Sequence, residues 1–196
     1  MRKIKLQVQI SVDGCIAGPN NEMDWVVWNE DDKYNEYVKK IHEPVDTILL
    51  GRKMIDGFIS HWSDVMNKPD DPWNDIAKKL IETPKIVFTK TLSKSDWINT
   101  EIVTGDLKTE ITKLKSQKNG GRGGDIIVYG GASFDSSLIK EKLIDEYYLF
   151  VNPVALGKGK NIFKDLVEVE QFTFIESVVF DSGRVLLHYE VKNNQK

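Results

Sequence analysis

One cysteine, Cys15, stands in 196 residues, so no internal disulfide can staple the chain. The opening Met1-Arg2-Lys3-Ile4-Lys5 lacks the apolar core and small-residue cleavage pattern of an export signal, and a reducing cytoplasm is the expected compartment. Histidine is also scarce. His42, His61 and His188 lie far apart, assigned to a helix end, a polar loop and a terminal strand, and no metal site is expected of them. No apolar run approaches the roughly 20 residues that span a bilayer, which argues against a membrane helix. Charge of one sign is not in excess: the net charge is −3, which gives no broad attraction to nucleic acid or anionic membranes. Two nucleotide motifs are missing as well. Gly157-Lys158-Gly159 is followed by neither the third glycine of Gly-x-Gly-x-x-Gly nor the Ser or Thr of a Walker A loop.

Strands and helices alternate along the chain. Ile4, Leu6, Val8 and Ile10 alternate with Lys3, Lys5, Gln7 and Gln9, the pattern of a strand with one apolar face. A loop runs from Ser11 to about Trp28, and Glu30 to His42 reads as a helix on the spacing of Tyr34, Val38 and Ile41, closed by Pro44. Val45 to Leu50 is a strand covered on both faces. Gly51-Arg52-Lys53 turns it into a short helix carrying Met54, Ile55 and Phe58. Asp71 and Pro72 open another, with Ile76, Ala77, Leu80 and Ile81 buried. Strands follow at 85–89 and 97–103, then a helix capped by Asp106. A Gly-rich loop at 120–124 precedes a strand at 125–129, Gly130-Gly131 and a further helix. The end reads as a strand at 145–151, a Gly-rich loop at 153–160 and a hairpin turning at Asp181-Ser182-Gly183-Arg184. The expected class is α/β: one domain over residues 1–196, a mostly parallel central sheet flanked by helices, and a C-terminal antiparallel hairpin.

Three strand ends carry phosphate-compatible chemistry. At Gly130-Gly131-Ala132-Ser133 two glycines admit a ligand to the backbone, and the following helix points its positive end at it. At Gly51-Arg52-Lys53 a glycine meets a helix start and two cations, suited to the extra phosphate of NADPH. Thr89-Lys90 closes a third strand in the same way. In open α/β sheets, ligands gather at the carboxyl ends of the strands. The acid–base candidates are Asp13, Glu30, Asp31 and Asp32; the last three also serve as ordinary helix-start acids. Trp25 and Trp28 could wall a planar heterocycle or pack in the core.

Ser11-Val12-Asp13-Gly14-Cys15-Ile16-Ala17-Gly18 resembles the opening of dihydrofolate-reductase-like proteins. Leu49-Leu50-Gly51-Arg52-Lys53 and Val128-Tyr129-Gly130-Gly131-Ala132 resemble their two cofactor turns. Asp145-Glu146-Tyr147-Tyr148 and Pro153 to Gly159 are similar to segments of the reductase domain of bifunctional riboflavin-biosynthesis deaminase–reductases and its stand-alone relatives. The riboflavin reductases usually carry Glu where this chain has Tyr129, and the deaminase half is absent. The resemblance implies a dihydrofolate-reductase-like fold and NADPH-dependent reduction of a pyrimidine- or pteridine-like ring, the nearest named activity being 5-amino-6-(5-phosphoribosylamino)uracil reduction. It sets Ile16 and Ala17 against the nicotinamide, Gly51, Arg52, Lys53, Thr89 and Lys90 around the adenosine phosphate, and Gly130, Gly131, Ala132 and Ser133 on the pyrophosphate. Glu30 or Asp31 is then the expected proton donor, Asp13 and Trp25 the expected substrate contacts, and a homodimer the expected assembly. Dihydrofolate reduction and a non-catalytic nucleotide- or drug-binding protein are the alternatives.

Overall fold

The computed structural model describes residues 1–28, 32–117 and 123–192. Eight strands form one sheet: β1 (Ile4–Ser11), β2 (Val45–Gly51), β3 (Lys85–Phe88), β4 (Thr100–Val103), β5 (Asp125–Val128), β6 (Glu146–Asn152), β7 (Phe172–Val179) and β8 (Val185–Val191). Their order is β4-β3-β2-β5-β1-β6-β8-β7. All neighbours pair in parallel from β4 to β6, and β8 runs antiparallel to both β6 and β7. The hairpin turns where expected: Phe180 N–H donates to Arg184 C=O at 3.0 Å, and Gly183 supplies the left-handed φ of +81°.

The helices divide between the two faces. Helices α1 (Asp32–His42), α2 (Ile55–Met66) and α3 (Asn74–Glu82) cover one face, with Tyr34, Val38, Ile41, Phe58, Ile76 and Leu80 packed on Ile48 and Leu50 of β2. Helices α4 (Leu107–Ser116) and α5 (Ala132–Lys140) cover the other, where Ile111, Leu114, Leu138 and Ile139 meet Leu49, Ile126 and Val128. The apolar run of β2 thus feeds both cores, as a doubly covered parallel strand must.

Several local expectations are corrected. Strand β1 has no solvent face. Lys5 is buried, paired with Asp125 at 2.7 Å, and Gln9 donates to the Tyr34 hydroxyl at 3.0 Å. Because β1 is central, Lys5 finds its partner on β5 and Gln9 on α1, while Gln7 Oε1 is buried without a hydrogen-bond partner. Helix α2 is 12 residues long rather than short. Phe58, Trp62 and Val65 continue its apolar stripe at i, i+4 and i+7, which puts His61 on a helix and not in a loop. Helix α3 begins at Asn74, after a turn in which Asp71 accepts from the Trp73 amide at 2.9 Å. Trp97 lies on the connection before β4. No helix among the described residues is long and apolar enough to cross a membrane.

Candidate functional site

The parallel strands present their carboxyl ends along one edge. Adjacent strands β1 and β5 send their following helices, α1 and α5, to opposite faces. Such a reversal opens a crevice between the two strand ends, the position where open α/β sheets bind ligands. The Gly130-Gly131 turn and the loop after Ser11 flank it.

On the β5 side, Gly130 has a φ of +79° and its peptide bond to Gly131 is cis. Gly51, at the end of β2, donates its N–H to Gly130 C=O at 2.7 Å. A Cβ on Gly51 would stand 3.1 Å from that oxygen and 3.1 Å from Phe134 Cβ, so a larger residue there would push the two turns apart by a few tenths of an ångström. Helix α5 starts on Gly131 and α2 on Met54, and neither has a side-chain cap. Both therefore direct backbone N–H groups and a positive dipole end at the crevice edge without an internal acceptor from the cap residue. Ala132 and Ser133 form the first turn of α5. Arg52 lies beside the Trp97 ring, with its guanidinium carbon 5.3 Å from the centroid, and Lys53 is exposed. Thr89 donates its N–H to Val103 C=O at 3.1 Å, and Lys90 is exposed. Thr89 follows β3, which ends at Phe88, and β3 lies two strands from β5, or about 10 Å at ordinary strand spacing. A stacked pair, Phe88 and Phe134 with centroids 5.5 Å apart, lies beside Gly51.

On the β1 side, Ile16 and Ala17 are nearly buried and clamped by the glycine-rich loop. Ile16 N–H donates to Lys160 C=O at 3.0 Å, and Lys160 N–H donates to Ala17 C=O at 2.8 Å. A Cβ on Gly159 would meet Ala17 O at 2.6 Å, so that loop must be glycine where it crosses. Asp13, a candidate substrate contact, joins the same two loops. Its carboxylate accepts from Ser11 Oγ at 2.6 Å and from the Leu156 and Gly157 amides at 3.0 and 2.7 Å. The Ser11 hydroxyl first, then the two amides, hold its pKa down at about 2. Trp25 is half-buried and donates to Glu22 C=O at 3.0 Å, while Trp28 is largely exposed. Glu30 and Asp31 lie outside the described residues; Asp32 is exposed on the first turn of α1. Among the described residues no cluster of His, Cys, Asp or Glu is set to hold a metal ion.

Two features of this edge are absent from the sequence expectations, the partner of Tyr129 and the burial of Asp135. The Tyr129 hydroxyl bonds His42 Nε2. His42 Nδ1 lies 2.6 Å from Val38 C=O, which requires the proton on Nδ1 and makes Tyr129 the donor to Nε2. Burial lowers the His42 pKa to about 4, so the ring is neutral at pH 7. The hydroxyl of Tyr129 is thus turned into the α1–α2 layer. Asp135 is fully buried on the first turns of α5, and neither carboxyl oxygen has a hydrogen-bond partner. Desolvation pushes its pKa up to about 8. It lies directly against the turn: a Cβ on Gly130 would be 2.5 Å from Asp135 Oδ2. The signal was present, since Asp135, Leu138 and Ile139 fall at i, i+3 and i+4 on the buried face.

The chain matches the RibD C-terminal domain family over residues 2–186. It is 35% identical over 191 residues to "uncharacterized protein YyaP" of Bacillus subtilis (strain 168), covering 96% of this chain and 94% of that one. Among solved structures, a "putative riboflavin biosynthesis protein" from Shewanella sp. PV-4 superposes with a TM-score of 0.71 at 24% identity, covering 98% of this chain and 100% of that one. The diaminohydroxyphosphoribosylaminopyrimidine deaminase/5-amino-6-(5-phosphoribosylamino)uracil reductase of Thermotoga maritima superposes with a TM-score of 0.66 at 15% identity, over 97% of this chain and 57% of that one. The fold is therefore that of the dihydrofolate-reductase-like reductase domains, and the chain belongs to the RibD C-terminal domain family.

Proposed function

We propose that this protein is an NADPH-dependent reductase of a pyrimidine- or pteridine-like heterocycle, with 5-amino-6-(5-phosphoribosylamino)uracil as the nearest named substrate. One observation carries the reading: two helix starts without side-chain caps, α2 and α5, are joined through the Gly51–Gly130 hydrogen bond at the switch point of the sheet. That arrangement suits a dinucleotide. The Gly130, Gly131, Ala132 and Ser133 backbone would hold the pyrophosphate, and Arg52 and Lys53 a 2′-phosphate, with Thr89 and Lys90 beside the adenosine. Ile16 and Ala17 would form the apolar wall for the nicotinamide. The bound cofactor supplies hydride; the chain supplies orientation, and Glu30 or Asp31 the proton. Family membership and the printed activity of the T. maritima enzyme support the substrate class.

A second reading, a nucleotide- or drug-binding protein without turnover, is favoured by Tyr129. The riboflavin reductases usually carry Glu there, whereas the hydroxyl here is spent on His42. The partner is a second copy of the chain, and exposed Phe174, Ile175 and Val179 on the outer strand β7 support that assembly; the mass in solution tests it. The expected compartment is the cytoplasm.

The experiment is a fluorescence titration with NADPH and NADH, followed by a screen for NADPH oxidation with the aminouracil, dihydrofolate, and small quinones or flavins. Tighter binding of NADPH and turnover of the aminouracil are expected. Equal affinity for the two cofactors sinks the 2′-phosphate assignment. Tight NADPH binding with no turnover of any acceptor favours the second reading.

A further inference from the structure

The Gly51-Arg52-Lys53 turn is followed by an acid that the dinucleotide reading leaves unused. Asp56 stands on the first turn of α2, with its side chain 64% exposed. Its Oδ2 lies 3.2 Å from Arg52 Nη1. Its Oδ1 accepts from Trp97 Nε1 at 2.9 Å. Trp97 closes the triangle, because the Arg52 guanidinium carbon is 5.3 Å from its ring centroid. The three side chains come from two separate connections. Arg52 and Asp56 follow β2, whereas Trp97 sits on the β3–β4 connection that begins at Thr89-Lys90.

Each contact constrains Arg52 in a different way. The ring favours a guanidinium on its face, and the carboxylate takes one end of the fork. Arg has five N–H donors, so the outer ones stay available to an anion. The same carboxylate is a negative charge beside the place where a 2′-phosphate would sit, and there it opposes the ligand that Arg52 attracts. Toward an unphosphorylated ribose its effect has the other sign, because an acid at such a position accepts hydrogen bonds from the hydroxyls.

We infer that Asp56 sets the cofactor selectivity of this site: with Trp97 it positions Arg52 for the adenosine ribose, and its own charge holds down the preference for the 2′-phosphate. The inference rests on the dinucleotide reading above. It implies that the native chain binds both cofactors, with a modest preference for NADPH.

The test is Asp56→Asn, which keeps the shape and the Trp97 hydrogen bond and removes the charge. Dissociation constants for NADPH and NADH are measured by cofactor fluorescence at low and high salt. Removing one exposed charge near a phosphate should raise the NADPH-over-NADH affinity ratio roughly fivefold at low salt, and less at high salt, where screening is stronger. Arg52→Gln in the same series should lower the NADPH-over-NADH ratio, with Lys53 left as the remaining cation. An unchanged or lower ratio in a folded Asp56→Asn protein that still binds both cofactors overturns the inference and leaves the dinucleotide reading standing. Failure of the unmodified protein to bind either cofactor overturns both.

Discussion

The two edges of the sheet treat their polar groups in opposite ways. At the amino edge the buried charges of the described residues have partners. Arg2 is buried and pairs with Asp46, while it donates to Thr47 Oγ1 at 2.6 Å and Gly124 C=O at 2.7 Å. Lys5 meets Asp125, and Lys115 meets Asp145, each at 2.7 Å. Lys79 donates to the His42 and Glu43 carbonyls at the end of α1, and Lys85 to the Ile81 and Thr83 carbonyls at the end of α3. These ammonium groups sit where helix dipoles are negative. At the carboxyl edge, β2 and β5 end in glycine turns, α2 and α5 start without side-chain caps, and Asp135 is buried without a partner. The charges at the amino edge are held by partners within the chain, whereas the helix starts of α2 and α5 at the carboxyl edge keep backbone donors without a side-chain cap. Changes at the amino edge should therefore cost stability and spare binding, and those at the glycine turns should do the reverse.

Asp135 gives the largest expected effect. Its folded pKa, about 8, is raised above the ordinary aspartate value of 3.8. A raised carboxyl pKa means that the folded state holds the proton more tightly. Its contribution is fully present below pH 3.8, declines as pH rises, and is lost above pH 8. The whole range corresponds to as much as about 5 kcal/mol. Asp135→Asn should flatten that decline, and thermal melts at pH 5, 7 and 9 check it. Parallel pH profiles for the two proteins would show that Asp135 is not held as a neutral acid.

Arg2→Ala breaks the amino edge. It removes the buried cation of the pair and leaves Asp46 with only the Gly124 amide and the Thr47 hydroxyl as donors, a loss of about 3 kcal/mol. Denaturant titration should register it, with NADPH affinity in the folded protein unchanged. A large loss of affinity would mean that the edges are coupled.

Gly131→Val breaks the opposite edge. A Cβ there would first meet Met54 Cγ at 3.2 Å, the middle of a flexible side chain that can yield. The φ of Gly131 is −41°, so no left-handed strain arises. The fold should survive, while the branched side chain at the start of α5 intrudes on the proposed pyrophosphate site, and NADPH affinity should fall at least about tenfold, the loss of roughly 1.4 kcal/mol. Retained affinity in a folded variant would remove Gly131 from the site.

These residues were not equally legible. Gly51, Gly130 and Asp106 could be read from the sequence because strand, turn and helix are contiguous there and local chemistry decides the outcome. The stripe that buries α5 was legible too, and Asp135 was missed only because an acid on such a stripe breaks the apolar pattern. Trp97 beside Arg52 is different. The two are brought together by strand order, β3 lying next to β2, and no local propensity records that. The polar face of β1 misled for the same reason. Lys5 and Gln9 look solvated until α1, β5 and β6 close over them, and only then do Asp125, Tyr34 and Asn152 become their partners.

The smallest expected effect sharpens the comparison within the carboxyl edge itself. Helix α4 also begins there, after β4, but it is sealed. Asp106 accepts from the Thr109 amide at 2.9 Å and from its hydroxyl at 2.7 Å. Its helix start is occupied by the chain's own carboxylate, so the dipole end that α5 offers to a ligand is already used in α4. Asp106→Ala should cost about 1 kcal/mol of stability, the ordinary loss of an N-cap, and leave NADPH affinity within error. The converse change, Gly131→Asp, places the same carboxylate on α5. It can cap that helix, but it puts a negative charge at the proposed pyrophosphate site, and on that proposal cofactor affinity should collapse while the melting temperature holds or rises. If Asp106→Ala weakened NADPH as much as Gly131→Asp does, the absence of a cap would not distinguish the ligand-binding helix from its neighbour, and the contrast between the two helix starts would lose its meaning.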